Sequence, residues 1–123
     1  MIVSIALALV AAAPCPVSAR WTEGMPVGNG IIEPARNLIT VDGTDVTWNR
    51  KPMAFDVVVE TARHLPDYSP RPWLIVDASA ADCATLQRVT AAVEEAAQCD
   101  ADNCFLSRAP VPPEPPAAIA PRQ

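Results

Sequence analysis

The placement of proline is the feature that most constrains how this chain can fold. Proline occurs 14 times in 123 residues, against an average share of about 5%, and six of these prolines lie in residues 109–123. Because proline fixes φ and lacks a backbone N–H, this stretch cannot build a helix or a sheet core. It predicts a disordered Pro-rich tail over 109–123. We expect truncation after Arg108 to leave the melting temperature nearly unchanged.

Residues 1–19 have the pattern of a secretory signal peptide. They carry no charged side chain, begin with an apolar run and end in the small-residue sequence Val17-Ser18-Ala19, which is typical of a cleavage site. We expect cleavage before Arg20 and a periplasmic or secreted protein. An uncleaved membrane anchor is the alternative, although the apolar run is shorter than the ~20 residues that span a bilayer. Lipid attachment at Cys15 is disfavoured because Pro14 stands where a small residue is expected.

Charge and residue counts exclude several functional classes. The net charge is −5 with nine Lys and Arg residues, so no basic stripe can neutralise phosphates and we expect no nucleic-acid partner. His64 is the single histidine, which excludes a multi-histidine metal site and a reaction that needs two imidazoles. The sequence also lacks a Gly-rich phosphate loop and a Ser/His/Asp set. We therefore expect a protein that is not an enzyme and has no cofactor.

Local sequence patterns predict two helices and four strands. Asp42-Gly43 is a favoured tight-turn dipeptide between two β-branched runs, which predicts a β-hairpin. Apolar residues recur at spacings of three and four from Leu86 to Val93, which predicts a helix, with Asp82 or Ser79 as its N-cap. The predicted elements are a hairpin over 38–48, a helix over 52–65, a strand over 73–76, a helix over 82–98 and a strand over 104–107.

This order predicts an α+β fold over residues 38–108, with both helices packed on one face of a small sheet. Residues 20–37, with three glycines and two prolines, show no periodicity and are expected to form an extended lead-in. The last strand and the first hairpin are expected to leave free sheet edges. Such edges favour a homodimer or strand addition by an extended partner peptide.

The cysteines offer one predicted disulfide. Cys99 and Cys104 flank a predicted helix-to-strand turn, which can bring their Cα atoms within the ~4.4–6.8 Å that a disulfide requires. An exported chain meets an oxidising compartment, where close cysteines pair. Cys83 begins the predicted helix and lies ~24 Å from Cys99 along it, so these two cannot pair along the helix. Pairing of Cys83 with Cys104 stays open; otherwise Cys83 is a candidate free thiol, inert or redox-active.

The pattern resembles the periplasmic domain of the ExbD/TolR family of biopolymer-transport proteins. The pieces that carry the resemblance are LITVDGTDVTW, PMAFDVVVETARHL, PWLIVDAS, TLQRVTAAVEEAA and CFLS, all within residues 38–108. Members of that family are anchored by a transmembrane helix that bears a motor aspartate. Because residues 1–19 contain no acidic side chain, the resemblance implies the periplasmic domain without the motor part.

Three functional hypotheses follow from the sequence. The first is an exported, non-enzymatic domain of the ExbD/TolR type that binds an envelope protein or the cell wall, as the resemblance implies, with membrane contact if residues 1–19 are retained. The second is a thiol redox protein that uses Cys83. The third is a small secreted domain of unrelated family that is stabilised by a disulfide.

Overall fold

A computed structural model of the chain describes residues 15–28 and 33–113. Most of the predicted leader, residues 1–14, and the last ten residues of the predicted tail therefore lie outside the described part. In chain order the elements are β1 (Thr22–Glu23), β2 (Arg36–Gly43), β3 (Asp45–Trp48), β4 (Lys51–Pro52), α1 (Phe55–Arg63), a 3-10 turn (Leu65–Asp67), β5 (Trp73–Ala81), α2 (Cys83–Ala96) and β6 (Cys104–Ser107).

The six strands form one mixed sheet in the order β1-β6-β5-β2-β3-β4. Strand β5 runs parallel to both of its neighbours, β2 and β6, whereas β3 and β4 pair antiparallel. The continuous apolar run that opens β5 is typical of a central strand that is buried on both faces. The predicted α+β fold is confirmed.

Both helices pack on one face of the sheet. Alternate strand residues point to that face because successive side chains of a strand project to opposite sides. The core joins sheet and helix residues in a single cluster. Its fully buried members from the sheet are Ile39, Val41, Leu74, Val76, Cys104 and Leu106, and those from the helices are Val58, Ala62, Leu86, Val89 and Val93.

The element boundaries differ from the predicted ones in two informative places. The predicted strand over 73–76 continues to Ala81, because its pairing with β2 resumes after a register shift: Ala80 pairs with Asp42 and Ala81 with Gly43. Next to this shift, the Asp77 carboxylate accepts hydrogen bonds from the backbone and side chain of Ser79. At the start of α2, the Asp82 side chain accepts a hydrogen bond from Thr85 N at 3.0 Å, as the N-cap prediction required. This bond lowers the pKa of the Asp82 carboxyl, with a second contribution from the Thr85 hydroxyl.

Within residues 15–28 and 33–113, the last strand and the first hairpin are not the outermost strands of the sheet, which differs from the sequence interpretation. Strand β6 is flanked by β1, in which Thr22 pairs with Phe105. The outer side of β3 is flanked by β4, which contains Pro52. Very short edge strands protect a sheet against strand addition, and so does a proline in an edge strand, because it lacks a backbone N–H. The predicted homodimer, or strand addition by a partner peptide, would therefore have to use β1 or β4 as its edge, and it stays a prediction.

Two disulfides tie the fold together. Cys99 and Cys104 are bonded, with their Cα atoms 5.5 Å apart, as their spacing predicted. Cys83 is bonded to Cys15, also with a Cα separation of 5.5 Å. Cys83 is therefore not a free thiol in this structure, and a redox role for it stays a prediction. The partner was missed because Cys15 was assigned to the leader.

The disulfides also bear on the compartment, because such bonds persist in oxidising environments outside the cytoplasm. In the part of the chain that the structure describes, no helix has the length and apolar character needed to cross a membrane.

Candidate functional site

The face of the sheet that carries no helix is the candidate functional surface; we call it the open face. Its central row consists of Leu38, Ile75 and Phe105, which are paired across β2, β5 and β6. Ile75 is 2% exposed and Phe105 is 8% exposed. Trp73 packs edge-on against Phe105, with their ring centroids 6.1 Å apart. The open face is therefore a second apolar surface, separate from the helix-covered core.

The start of the predicted tail lies across the open face. Val111 is held at both of its backbone polar groups: its N–H donates to Asp77 Oδ2 at 2.9 Å, and its carbonyl oxygen accepts from Arg50 Nη2 at 3.1 Å. Ser107 Oγ also donates to the Ala109 carbonyl oxygen at 2.6 Å. Residues 109–113 thus form an extended segment that lies on the sheet. The composition predicted an extended, mobile tail, but not this contact.

A groove runs beside this segment. Its volume is about 400 Å³, within the range of sites that bind small ligands or short peptide segments. Residues from five parts of the chain line it: Met25, Arg36, Leu38, Asn49, Arg50, Ile75, Val111, Pro112 and Pro113. The floor is apolar, and two guanidinium groups supply its charge.

The β3–β4 turn places Arg50 at the groove. Asn49 and Arg50 both have positive φ, 48° and 71° respectively, as the central residues of a type I′ turn require. Asn49 suits this conformation, and its Oδ1 accepts a hydrogen bond from Leu38 N at 2.8 Å. Arginine rarely adopts positive φ. The turn therefore holds Arg50 in a strained conformation from which its guanidinium reaches Val111.

Arg36 provides the second cation. Its guanidinium lies 5.4 Å from the centroid of the Trp73 ring, a distance at which a cation is attracted to an aromatic face. Glu33 lies 3.7 Å from the same guanidinium. Because stacking on Trp73 limits its rotamers, the Arg36 guanidinium is held at the groove in a position from which it can bind an anion.

Asp77 is the buried charge of the open face, and its side chain is 5% exposed. Burial is the largest influence on this carboxyl and opposes its ionisation. The hydrogen bonds from the Ser79 hydroxyl, Val111 N–H and Ser79 N–H, together with the charge of Arg50, outweigh burial and lower the pKa of Asp77. The carboxylate therefore stays charged at neutral pH and works as a fixed acceptor for backbone N–H groups.

The residues that the sequence singled out do not come together. Cys99 and Cys104 close the turn after α2, and Cys83 lies at the other end of that helix. His64 is exposed beyond α1, with Glu60 and Asp67 each 3.7 Å from one of its ring nitrogens. Within the described ranges, no three His, Cys, Asp or Glu side chains are grouped as metal ligands would be.

Sequence reasoning missed the groove for an identifiable reason. Its residues are far apart in the chain, from Met25 to Pro113, and none belongs to a catalytic or metal-binding pattern. One local pattern pointed towards it: Asn49-Arg50 lies between two strands, and Asn at such a point is typical of a tight hairpin turn. Comparisons with protein-family models, with curated proteins and with solved structures find no match to this chain.

Proposed function

We propose that this chain is an exported, non-enzymatic binding domain of the ExbD/TolR type, whose groove on the open face binds an extended acidic segment of an envelope protein. One observation carries the proposal. Arg36 and Arg50 lie at an apolar groove that already borders an extended segment of chain, held through the backbone of Val111.

The preference for an extended ligand follows from how Val111 is bound. A carboxylate and a guanidinium engage its N–H and its carbonyl oxygen, so contacts to the backbone do not depend on its side chain. Pro112 and Pro113 then form one wall of the groove. A second extended segment can lie beside them, because proline-rich backbone presents a smooth apolar side without competing hydrogen bonds.

The preference for an acidic ligand follows from charge. Among the residues that the structure describes, Arg50 has no carboxylate within ion-pair distance, and its partner is the neutral Val111 carbonyl. Charge-assisted hydrogen bonds from arginine to a carboxylate are roughly twice as strong as neutral ones. The chain as a whole carries a net charge of −5, so an acidic segment is repelled elsewhere and attracted to this groove.

The arrangement of reactive groups favours binding over catalysis. All four cysteines are in disulfides, and the single histidine is exposed beside two carboxylates. The lowered pKa of Asp77 makes it a poor general base at neutral pH, since an efficient base has a pKa near the working pH. The two disulfides fit folding in the periplasm or after secretion.

The test is binding of a defined peptide. We expect a synthetic decapeptide of alternating glutamate and proline to bind the purified protein and to change its tryptophan fluorescence, whereas a glutamine-proline peptide binds at least tenfold more weakly. The double variant Arg36→Gln/Arg50→Gln loses this preference. Arg63→Gln, which changes an exposed arginine of α1 that is paired with Glu60, leaves it intact.

Two results would contradict the proposal: equal affinity for both peptides, or equal loss in Arg63→Gln and the double variant. Co-sedimentation with purified cell wall distinguishes the other partner that the resemblance implies. If the protein sediments with cell wall and the double variant does so equally well, the ligand is the wall and the groove is not its site.

The two disulfides are also compatible with the third hypothesis, a small secreted domain of unrelated family. It predicts a monomer without a ligand whose structure collapses on reduction. Thermal unfolding with and without reductant, combined with the peptide titration, separates the two hypotheses, because collapse without peptide binding would favour the third.

A further inference from the structure

Residues 15–18 form an extended strap along α2. At the N-terminal end of α2, Cys15 is bonded to Cys83. One turn later, Gln87 Nε2 donates to the Pro16 carbonyl oxygen at 3.0 Å, and towards the other end Ser18 Oγ donates to Glu94 Oε2 at 2.7 Å. The strap therefore contacts α2 along most of its length.

The strap also contributes to the core. Cys15 and Val17 are partly buried and pack against the helix-covered core. Beyond the strap, the chain stays on the same surface: Arg20 donates to Glu95 at 2.8 Å and to the Cys99 carbonyl oxygen at 3.0 Å. Trp21 follows and is 4% exposed. The strap and the residues after it form one continuous layer over α2.

We propose that the mature protein retains the strap, and that the leader is removed N-terminal to Cys15. The proposed processing site is the small-residue stretch 11–13, Ala-Ala-Ala, which also fits the cleavage pattern of secretory leaders. The reaction is hydrolysis of one peptide bond, in which water supplies the new carboxyl and amino termini. This proposal concerns export and does not depend on what the groove binds.

Cleavage before Arg20 would remove three contributions of the strap to this fold. It would leave Cys83 as an odd cysteine in an oxidising compartment, where unpaired thiols react with other molecules. It would remove the hydroxyl that hydrogen-bonds to Glu94, a carboxylate that is 8% exposed. It would also uncover the core surface beneath Val17.

The same disulfide excludes lipid attachment at Cys15. A cysteine sulfur that is bonded to Cys83 has no valence left for a thioether to a lipid. The sulfur of Cys15 therefore reports which processing route the chain takes: a disulfide, a lipid thioether, or removal with the leader.

The experiment is expression of the full chain with export, followed by intact mass measurement and N-terminal sequencing without reductant. We expect a mature chain that starts between Ala12 and Pro14 and has no thiol that iodoacetamide can alkylate. A chain that starts at Arg20 with one alkylatable thiol would overturn the proposal. So would a chain that starts at Met1, or one with a lipid on Cys15.

Two variants locate the cut independently of stability. The double variant Ala11→Leu/Ala13→Leu should slow processing at least tenfold and accumulate precursor. Ala19→Leu, which enlarges an exposed side chain at the downstream site, should leave the mature N-terminus unchanged. The reverse pattern would place the cut before Arg20. Because Ala19 is exposed, this variant has no packing reason to misfold.

Discussion

The helix-covered face and the open face of the sheet are built from adjacent residues of the same strands, yet they are covered in different ways. In β5, Leu74 belongs to the core under the helices, whereas Ile75 faces the groove. Both are almost completely buried, at 1% and 2% exposed. Two helices of 9 and 14 residues cover the face that contains Leu74. The extended segment 109–113 lies on the face that contains Ile75.

Burial alone therefore does not measure how rigidly a face of the sheet is held. The helices bring many apolar side chains to their face, and close packing there resists any change in volume. The extended segment is fixed on the open face chiefly through the backbone of Val111 and through two charged partners. A cover that rests on a few polar contacts can shift to admit a ligand, whereas the helices cannot shift without unfolding the core.

The largest expected effect comes from truncating Leu74 and Ile75 in turn. Leu74→Ala should lower the free energy of unfolding by about 3–4 kcal/mol, because the packed helices cannot collapse into the cavity. Ile75→Ala should lower it by about 2 kcal/mol, because the extended segment can follow the smaller side chain. Urea denaturation measures both. Equal losses would mean that the two faces are equally rigid.

The next effect comes from removing the segment itself. Truncation after Arg108 deletes Val111, exposes Ile75 and leaves the Asp77 carboxylate without one of its N–H donors, so we expect a loss of about 1–3 kcal/mol. This replaces the expectation, based on proline content, that the whole tail is dispensable. Truncation after Pro113 is the matched control and should leave the melting temperature unchanged. A common melting temperature for both would show that residues 109–113 add nothing.

The sequence predicted the helix-covered face better than the open one, for a physical reason. Periodic apolar residues such as Leu86 and Val93 locate a helix whatever it packs against, so α2 and its Asp82 cap could be placed in advance. The pairing of Cys99 with Cys104 was equally local. These features depend on neighbours that lie within a few residues along the chain.

The open face depends on contacts between distant residues, which local patterns do not encode. Val111 meets Asp77 and Arg50 across 34 and 61 residues, and Cys15 meets Cys83 across 68. Composition predicted disorder for the tail and removal of the leader. Both predictions rest on the residue content of one short segment and carry no information on contacts with distant residues. The groove and the strap exist only in the folded chain, because their residues lie in segments that are far apart in the sequence.

A smaller effect concerns pH and follows from the lowered pKa of Asp77. A depressed native pKa stabilises the fold above the ordinary aspartate pKa of about 3.9, and that stability is lost as the pH falls through the lower native value. Asp77→Asn should therefore be less stable than the native chain at pH 7 and lose less stability between about pH 4 and pH 2. Thermal melts across this range are the measurement.

The comparison of faces supplies the control for this pH effect. Asp82 also has a lowered pKa, but it caps α2 and makes no hydrogen bond to residues 109–113 of the described tail. Asp82→Asn should therefore reduce the loss of stability at acid pH equally in the full chain and in the chain truncated after Arg108. The effect of Asp77→Asn should shrink in the truncated chain, because the Val111 N–H is already gone. An unchanged effect would remove Val111 from the causes.

The smallest effect on stability comes from Arg50, and it separates binding from folding. Arg50→Gly removes the strain of positive φ, which should raise the free energy of unfolding by about 1 kcal/mol. It also removes the exposed hydrogen bond to Val111, which should lower the free energy of unfolding by about the same amount. Stability should therefore change by less than ~0.5 kcal/mol, while affinity for the glutamate-proline peptide falls at least tenfold. On the proposed function, the conformational cost of arginine at this position is offset by its role in binding at the groove.

Gln98 provides the matched control for Arg50. It also has positive φ, 52°, but it follows α2 on the other side of the molecule from the groove, where glycine is the favoured residue after a helix. Gln98→Gly should raise the free energy of unfolding by about 0.5–1 kcal/mol and leave peptide binding unchanged. If Arg50→Gly instead raises stability like Gln98→Gly and keeps full peptide affinity, the strained turn does not serve the groove, and the open face must recognise its partner without Arg50.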